Sequence, residues 1–212
     1  VGHTTLSEMV AMMLGRPSQA ETPRLFHNTH NGRFQDVTDA AHLRRPLLTM
    51  GANFGDLDSD GYLDFYAGTG TPYFGSLLPN QMFRNDGGRV FQDVTTAGGF
   101  GHLQKGHGVC FGDLDGDGDE EVLAVMGGWY ASDIYHVALF ENPGHGTRYL
   151  TLLLEGTKAN RAAIGARIAV TVETLKGPRT LHRVVGTGSS FGGSTLQQEI
   201  GLGQATAIRS VL

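Results

Sequence analysis

Apolar residues along this chain come mostly in short runs that alternate with polar ones, and one stretch near the start follows helical spacing instead. In TLSEMVAMMLG, Thr5 stands as N-cap with Glu8 three positions on, the pattern of a capping box. Leu6, Met9, Val10, Met13 and Leu14 follow at helical period, and Gly15 and Pro17 close the element. The methionine stripe reads as a packing face.

The remaining pattern is strand-like and repeats. LFHNTHNGRFQDVT from Leu25 returns as MFRNDGGRVFQDVT from Met82, and GANFGDLDSDG from Gly51 returns as GVCFGDLDGDG from Gly108, both at a spacing of 57. LFENPGHG from Leu139 is a third echo, so that Phe26, Phe83 and Phe140 coincide, as do Asn28, Asn85 and Asn142. Within a unit, RFQDVT and VFQDVT alternate as half-buried strands do, and YLDFYAGTG and EVLAVMGG are continuous apolar runs ended by glycine. Four short strands in a unit of this length predict a β-propeller blade. After residue 148, YLTLLLEG, ARIAVTVE, LHRVVG and ATAIRSVL read as further strands, with Ile168, Val170 and Val172 on one face.

Composition narrows the picture. The 32 glycines are about twice the usual ~7% share and fit many tight turns. A net charge of −5 gives no basic footprint for nucleic acid, and no apolar run of membrane-spanning length occurs. Cys110 is the sole cysteine, which excludes an internal disulfide and a cysteine metal cluster. In GVCFGD it reads as a small core residue. No cationic-then-apolar leader opens the chain at Val1.

The candidate chemistry lies in FGDLDSDGYLDFY (54–66) and FGDLDGDGDEEVL (111–123). In DxDxDGxxD the chain curls, with glycine permitting the reversal, so that alternate side chains face one centre. The ligand set is Asp56, Asp58, Asp60, the carbonyl of Tyr62, and Asp64 in the first loop. In the second it is Asp113, Asp115, Asp117, the carbonyl of Asp119, and Glu121. An all-oxygen set suits a hard cation taking six to eight ligands, so two Ca²⁺ sites are expected, the ion offsetting carboxylate repulsion. An EF-hand would need glutamate at the twelfth position, where Ala67 and Ala124 stand. A phosphatase-type DxD has no partnering lysine motif here. A solvated acidic turn is the competing reading at both loops, and Glu121 departs from aspartate at the ninth position.

These loops resemble the FG-GAP (VCBS) repeats of integrin α-subunit propellers and related bacterial extracellular proteins, over roughly residues 25 to 145. The resemblance implies a structural calcium clamping the turn between two strands of a blade. NRAAIGARI (160–168), GSSFGGS (188–194) and EIGLG (199–203) resemble the ASPIC/UnbV domain. That domain follows FG-GAP repeats in cartilage acidic protein 1 and in many bacterial secreted or surface proteins. Its usual Trp-Pro-Ser-Gly ending is missing, which points to a truncated fragment, and two and a half repeats do not close a ring of four to eight blades. The expected fold is all-β: an N-terminal helix and linker (1–24), a partial β-propeller (25–147), and a small β-sandwich-like ASPIC/UnbV domain (148–212). Open blade edges invite pairing, which keeps a homo-oligomer open as one reading.

Other residues carry weaker signals. His102 and His107 lie five apart on a glycine-rich loop, which is no standard metal spacing. Arg161 and Arg167 read as structural contacts before acidic-sugar ligands. Trp129, Tyr130 and Tyr135 read as loop anchors before a sugar platform. No Ser-His-Asp set or phosphate-cradling loop is discernible, and no catalytic residue is assigned. The expected function is a calcium-stabilised module, extracellular, on the cell surface or periplasmic, for adhesion to a protein or glycan ligand. The alternatives are a subunit of a self-associating surface assembly, or a propeller-based enzyme acting on polysaccharide.

Overall fold

The computed structural model describes residues 4–71, 78–128, 130–132, 134–188 and 190–212. β3 (Thr49–Gly55), β4 (Asp64–Thr69), β5 (Gln81–Asp86) and β6 (Val90–Asp93) form one antiparallel sheet in that order. β7 (Gly106–Gly112), β8 (Glu121–Met126) and β9 (His136–Phe140) form a second, and β1 (Phe26–Asn28) with β2 (Phe34–Asp36) a two-stranded ribbon. The 57-residue step carries β3 onto β7 and β4 onto β8 residue for residue. The hydrogen-bonded sheet is nevertheless out of phase with the sequence repeat. The unit beginning at Leu25 gives β1–β2 to one blade and β3–β4 to the next. The architecture is that of a partial β-propeller.

Both faces of the β3–β6 sheet are covered. On one, Phe65 stacks on Phe83 at 4.7 Å, over Ala41, Leu43 and Leu47. On the other, Tyr66 and Met82 meet Val109, Phe111, Val122, Ala124 and Met126 of the next sheet. Burying an aromatic such as Phe111 contributes roughly 1.5–3 kcal/mol. The two sheets approach so closely that a Cβ on Gly106 would lie 2.5 Å from Gly68 Cα. Small residues there are a packing requirement.

Two expectations, one for a strand and one for the helix, change. β2 is exposed along its length, with Phe34 66% accessible, because among the described residues no third strand or facing sheet flanks it; the equivalent Phe91 packs edge-on against Phe65. The QDVT end is instead a turn clasp: Asp36 Oδ1 accepts from Thr38 N (3.0 Å) and Oγ1 (2.5 Å), and Thr38 Oγ1 accepts from Leu25 N (2.9 Å). One repeat later Asp93 Oδ1 accepts from Thr95 N and Thr95 Oγ1 from Met82 N. α1 (Leu6–Met13) forms with both bonds of its capping box. Its stripe does not become a packing face, since Met9 is buried while Leu6, Val10, Met13 and Leu14 remain exposed. Ser18 Oγ donates to Glu8 O (2.6 Å) and ties the helix to the segment that follows it.

In the distal part, β10 (Arg148–Leu152) pairs with β13 (Gln198–Gly203), and β11 (Arg167–Thr174) lies between β12 (Gly177–Val184) and β14 (Ala207–Val211). Ile168, Val170, Val172, Leu181, Ile200 and Leu202 fill the space between the sheets. Segment 190–194 reaches back to the blades. Ser190 and Ala52 exchange backbone bonds of 3.1 and 3.3 Å, and Val109 N donates to Phe191 O (3.1 Å). Ala52 and Val109 are equivalent neighbours in the repeat register, so one distal segment runs along the edges of β3 and β7. Asn53 and Phe111 N both donate to Ser194 Oγ (2.7 and 3.2 Å). Among the described residues no helix is long and apolar enough to cross a membrane.

Candidate metal centres

Each acidic loop joins the paired strands β3–β4 or β7–β8, and each reverses through two left-handed residues. These are Ser59 and Gly61 in the first (φ 50° and 90°), Gly116 and Gly118 in the second (81° and 95°). Curling at the fourth and sixth positions turns the alternate carboxylates inward. Asp56, Asp58 and Asp64 bring one oxygen each within 4.8 Å of one another, and Asp113, Asp115 and Glu121 do the same. Asp60 and Asp117 stand outside these groups. Their Oδ1 atoms accept from Tyr62 N (2.8 Å) and Asp119 N (3.0 Å) and pin the turn. The Tyr62 ring lies under the Arg179 guanidinium at 3.7 Å, and Asp119 Oδ1 accepts from Ser59 Oγ (3.1 Å), tying the two loops together.

Backbone amides fix the carboxylates. Asp64 accepts from Leu57 N (2.7 Å) and Asn85 N (2.6 Å), and Glu121 Oε2 accepts from Leu114 N (2.7 Å). Asp113 accepts from Gly116, Asp117 and Gly118 amides at 2.7–3.1 Å. Two oxygens are left over: Asp58 Oδ1 and Glu121 Oε1 are buried and accept no hydrogen bond. A buried acceptor without a donor costs about 1–3 kcal/mol, more when charged. Burial and the neighbouring aspartates push Asp64 up to about 8. Burial also pushes Asp56 up to about 6, against the pull of Arg183, and raises Glu121. Crowded oxygens with no nitrogen or sulfur donor and one orphan per loop fit a hard divalent cation. Among the described residues no other cluster of this kind occurs.

The other sequence candidates take separate tasks. His102 Nδ1 accepts from Gln104 N and its ring stacks on His136, while His107 Nε2 pairs with Gly127 O. Arg161 pairs with Glu155 at the surface (3.0 Å). Tyr130 and Tyr135 are exposed, and Trp129 lies outside the described residues. Cys110 on β7 is half-buried, its thiol pushed up by burial.

The sequence reading missed a buried charged network beside the first loop. Asp56, 2% exposed, accepts on Oδ2 from Gly61 N (3.0 Å), Arg183 Nη2 (3.1 Å) and Gly201 N (3.1 Å). Its amide donates to Glu120 Oε2 (2.6 Å), and burial pushes Glu120 up to about 8. Glu120 was discoverable, since it is a carboxylate where the first repeat has Leu63. A cleft of about 380 Å³ opens next to it, lined by Phe54, Glu120, His182, Arg183, Gln197 and Glu199 among others. Glu199 takes Gln197 Nε2 on Oε1 (2.6 Å), and its buried Oε2 has no hydrogen-bond partner.

The FG-GAP-like repeat profile matches residues 9–67 and 71–124, more than half of the chain. The chain belongs to the FG-GAP-like repeat family. Both acidic loops lie within those repeats, and residues 156–212, which hold β11 to β14, match the ASPIC and UnbV domain. No curated protein matches the chain. FG-GAP repeats are typical of extracellular or surface proteins, and the chain is an extracellular-type β-repeat module.

Proposed function

We propose that both FG-GAP loops hold calcium as a structural ion and that the chain is an adhesive or interaction module, extracellular, on the cell surface or periplasmic. The observation that carries this reading is the pair of three-carboxylate groups, each with one buried oxygen lacking a donor. Asp56, Asp58 and Asp64 would hold one ion and Asp113, Asp115 and Glu121 the other, with the Tyr62 and Asp119 carbonyls as further ligands. The ion's role is charge compensation: it lets buried carboxylates stay ionised in a tight turn. A protein or glycan ligand is the expected partner. The cleft beside Phe54 supports binding of a small ligand group against an aromatic wall. Terbium luminescence and calorimetry test the reading: two ions per chain are expected, displaced by calcium. Absence of binding at millimolar calcium rejects it.

Self-association is a second reading, favoured by one comparison inside the chain. Met82 is fully buried beneath the next sheet, whereas its repeat equivalent Leu139 is 55% exposed. Val125 and Val137 are also exposed, and at the other end Phe26 stands open where its equivalent Phe83 is buried. The two open faces are complementary in kind and fit head-to-tail contact between copies. Sedimentation of wild type against Leu139→Lys distinguishes this: an association lost in the variant supports it, and a monomer at all concentrations rejects it.

A further inference from the structure

We infer that the first FG-GAP loop is an ion-dependent joint that docks the ASPIC/UnbV domain onto the blades, while the second loop is an ion site with no such duty. The inference rests on the calcium reading above. Four distal residues, joined by Thr147 just before them, grip the first loop, and much of the grip is on its backbone. Gly203 N donates to Ser59 O (2.9 Å), Arg179 Nη1 to Asp60 O (2.8 Å) and Thr147 Oγ1 to Asp58 O (3.2 Å). Gly201 N and Arg183 Nη2 both reach Asp56 Oδ2 at 3.1 Å. The fit leaves no slack, because a Cβ on Gly201 would lie 2.3 Å from Ser59 C.

These donors recognise the loop only in its curled form. The carbonyls of Asp58, Ser59 and Asp60 point at the distal domain because Ser59 holds a left-handed φ of 50°, a conformation unfavourable for a residue with a side chain. Asp56 Oδ2 is saturated by three donors, which leaves Oδ1, sharing only the Gly61 amide at 3.2 Å, to face the ion. Asp56 therefore belongs to both the ion site and the interface. Whatever holds Asp56, Asp58 and Asp64 together also holds the docking surface, and by linkage docking favours ion binding by the same factor. The second loop differs: Asp113 takes all its donors from its own loop, and the close distal neighbour is the Tyr149 ring against Gly118.

The amides of Gly201 and Gly203 report on the joint, since they point at the first loop, and residue-resolved hydrogen exchange by NMR reads them directly. Asp58→Ala removes the first-loop ion through a side chain that touches no distal residue; Asp115→Ala removes the second. Terbium luminescence on each variant counts the ions that remain. With calcium present, Asp58→Ala should speed exchange at Gly201 and Gly203 by about tenfold or more. Val170 and Leu181 in the distal core should stay protected, and Asp115→Ala should leave all four amides unchanged. Unchanged exchange at Gly201 and Gly203 in an Asp58→Ala protein that has lost one ion overturns the joint while leaving calcium binding intact. A wild type that binds no ion overturns both. If Asp58→Ala does not fold, Asp115→Ala with and without chelator gives the same reading: chelation must expose both amides, and continued protection overturns the joint.

Discussion

Arg183 on β12 places Nη2 3.1 Å from Asp56 Oδ2, across 127 positions of sequence, with the two side chains 10% and 2% exposed. A buried ion pair adds little net stability beside an apolar pair of the same shape, but deleting one partner strands the other. Here the stranded partner would be an acid already pushed up to about 6 by its burial. The pair therefore makes the distal domain part of the electrostatics of the first FG-GAP loop.

Arg183→Met should cost about 3–5 kcal/mol in the presence of chelator. With saturating calcium the loss should shrink, because a divalent charge beside Asp56 takes over part of the compensation. Urea unfolding under the two conditions measures both numbers. An equal loss with and without calcium would show that Arg183 and the ion do not share a task.

Calcium removal from the wild type should lower stability by the linkage term. At a free concentration about 100 times Kd each site contributes about 2.7 kcal/mol. For a chain of this size that corresponds to a fall in Tm of about 5–10 °C per site. Differential scanning calorimetry with EGTA, against a magnesium-replenished control, reads it. A Tm indifferent to chelation rejects structural calcium.

Local and periodic features were legible in the sequence: the capping box of Thr5 and Glu8, the 57-residue step, the core-facing Ile168, Val170 and Val172, and Gly61 and Gly118 at the turn. The phase of the blades was not, because a repeat can be cut anywhere and spacing does not say which strands share hydrogen bonds. The left-handed Ser59 was hidden because serine is no signal for that conformation, although Gly116 at the same place in the second loop is. The exposure of Phe34 and of the methionine stripe depends on what lies opposite, which an alternating pattern does not encode. Arg183 and Gly201 reach Asp56 from 127 and 145 positions away and leave no local trace.

Gly106→Ala and Gly87→Ala separate sheet packing from backbone strain. A Cβ at Gly106 meets Gly68 Cα at 2.5 Å and Asn80 Oδ1 at 2.6 Å, and a backbone atom in a packed sheet cannot step aside. Gly87 has φ +64° and open space around it. Overpacking should cost about 3 kcal/mol at Gly106, and the left-handed conformation about 1 kcal/mol at Gly87. Thermal melts of the two variants test the ordering, and a reversal would mean that the blades do not meet along Gly68 and Gly106.

The Asp36–Thr38 clasp predicts a pH effect away from the metal loops. The Thr38 hydroxyl and amide, with Arg24 adding to them, hold the Asp36 carboxyl down at about 2. A carboxylate depressed in the folded state adds stability above its unfolded value of about 3.9, and that contribution is lost as pH falls toward the folded value. Thr38→Val removes the hydroxyl and should move Asp36 upward toward the ordinary range. It should also cost about 1–2 kcal/mol at neutral pH, because the Leu25 amide loses its acceptor in a position where Thr38 is fully buried. A carboxyl-detected NMR titration follows Asp36 directly. Should Asp36 titrate at the same pH in wild type and Thr38→Val, the hydroxyl is not what holds it down, and the clasp is a backbone turn alone.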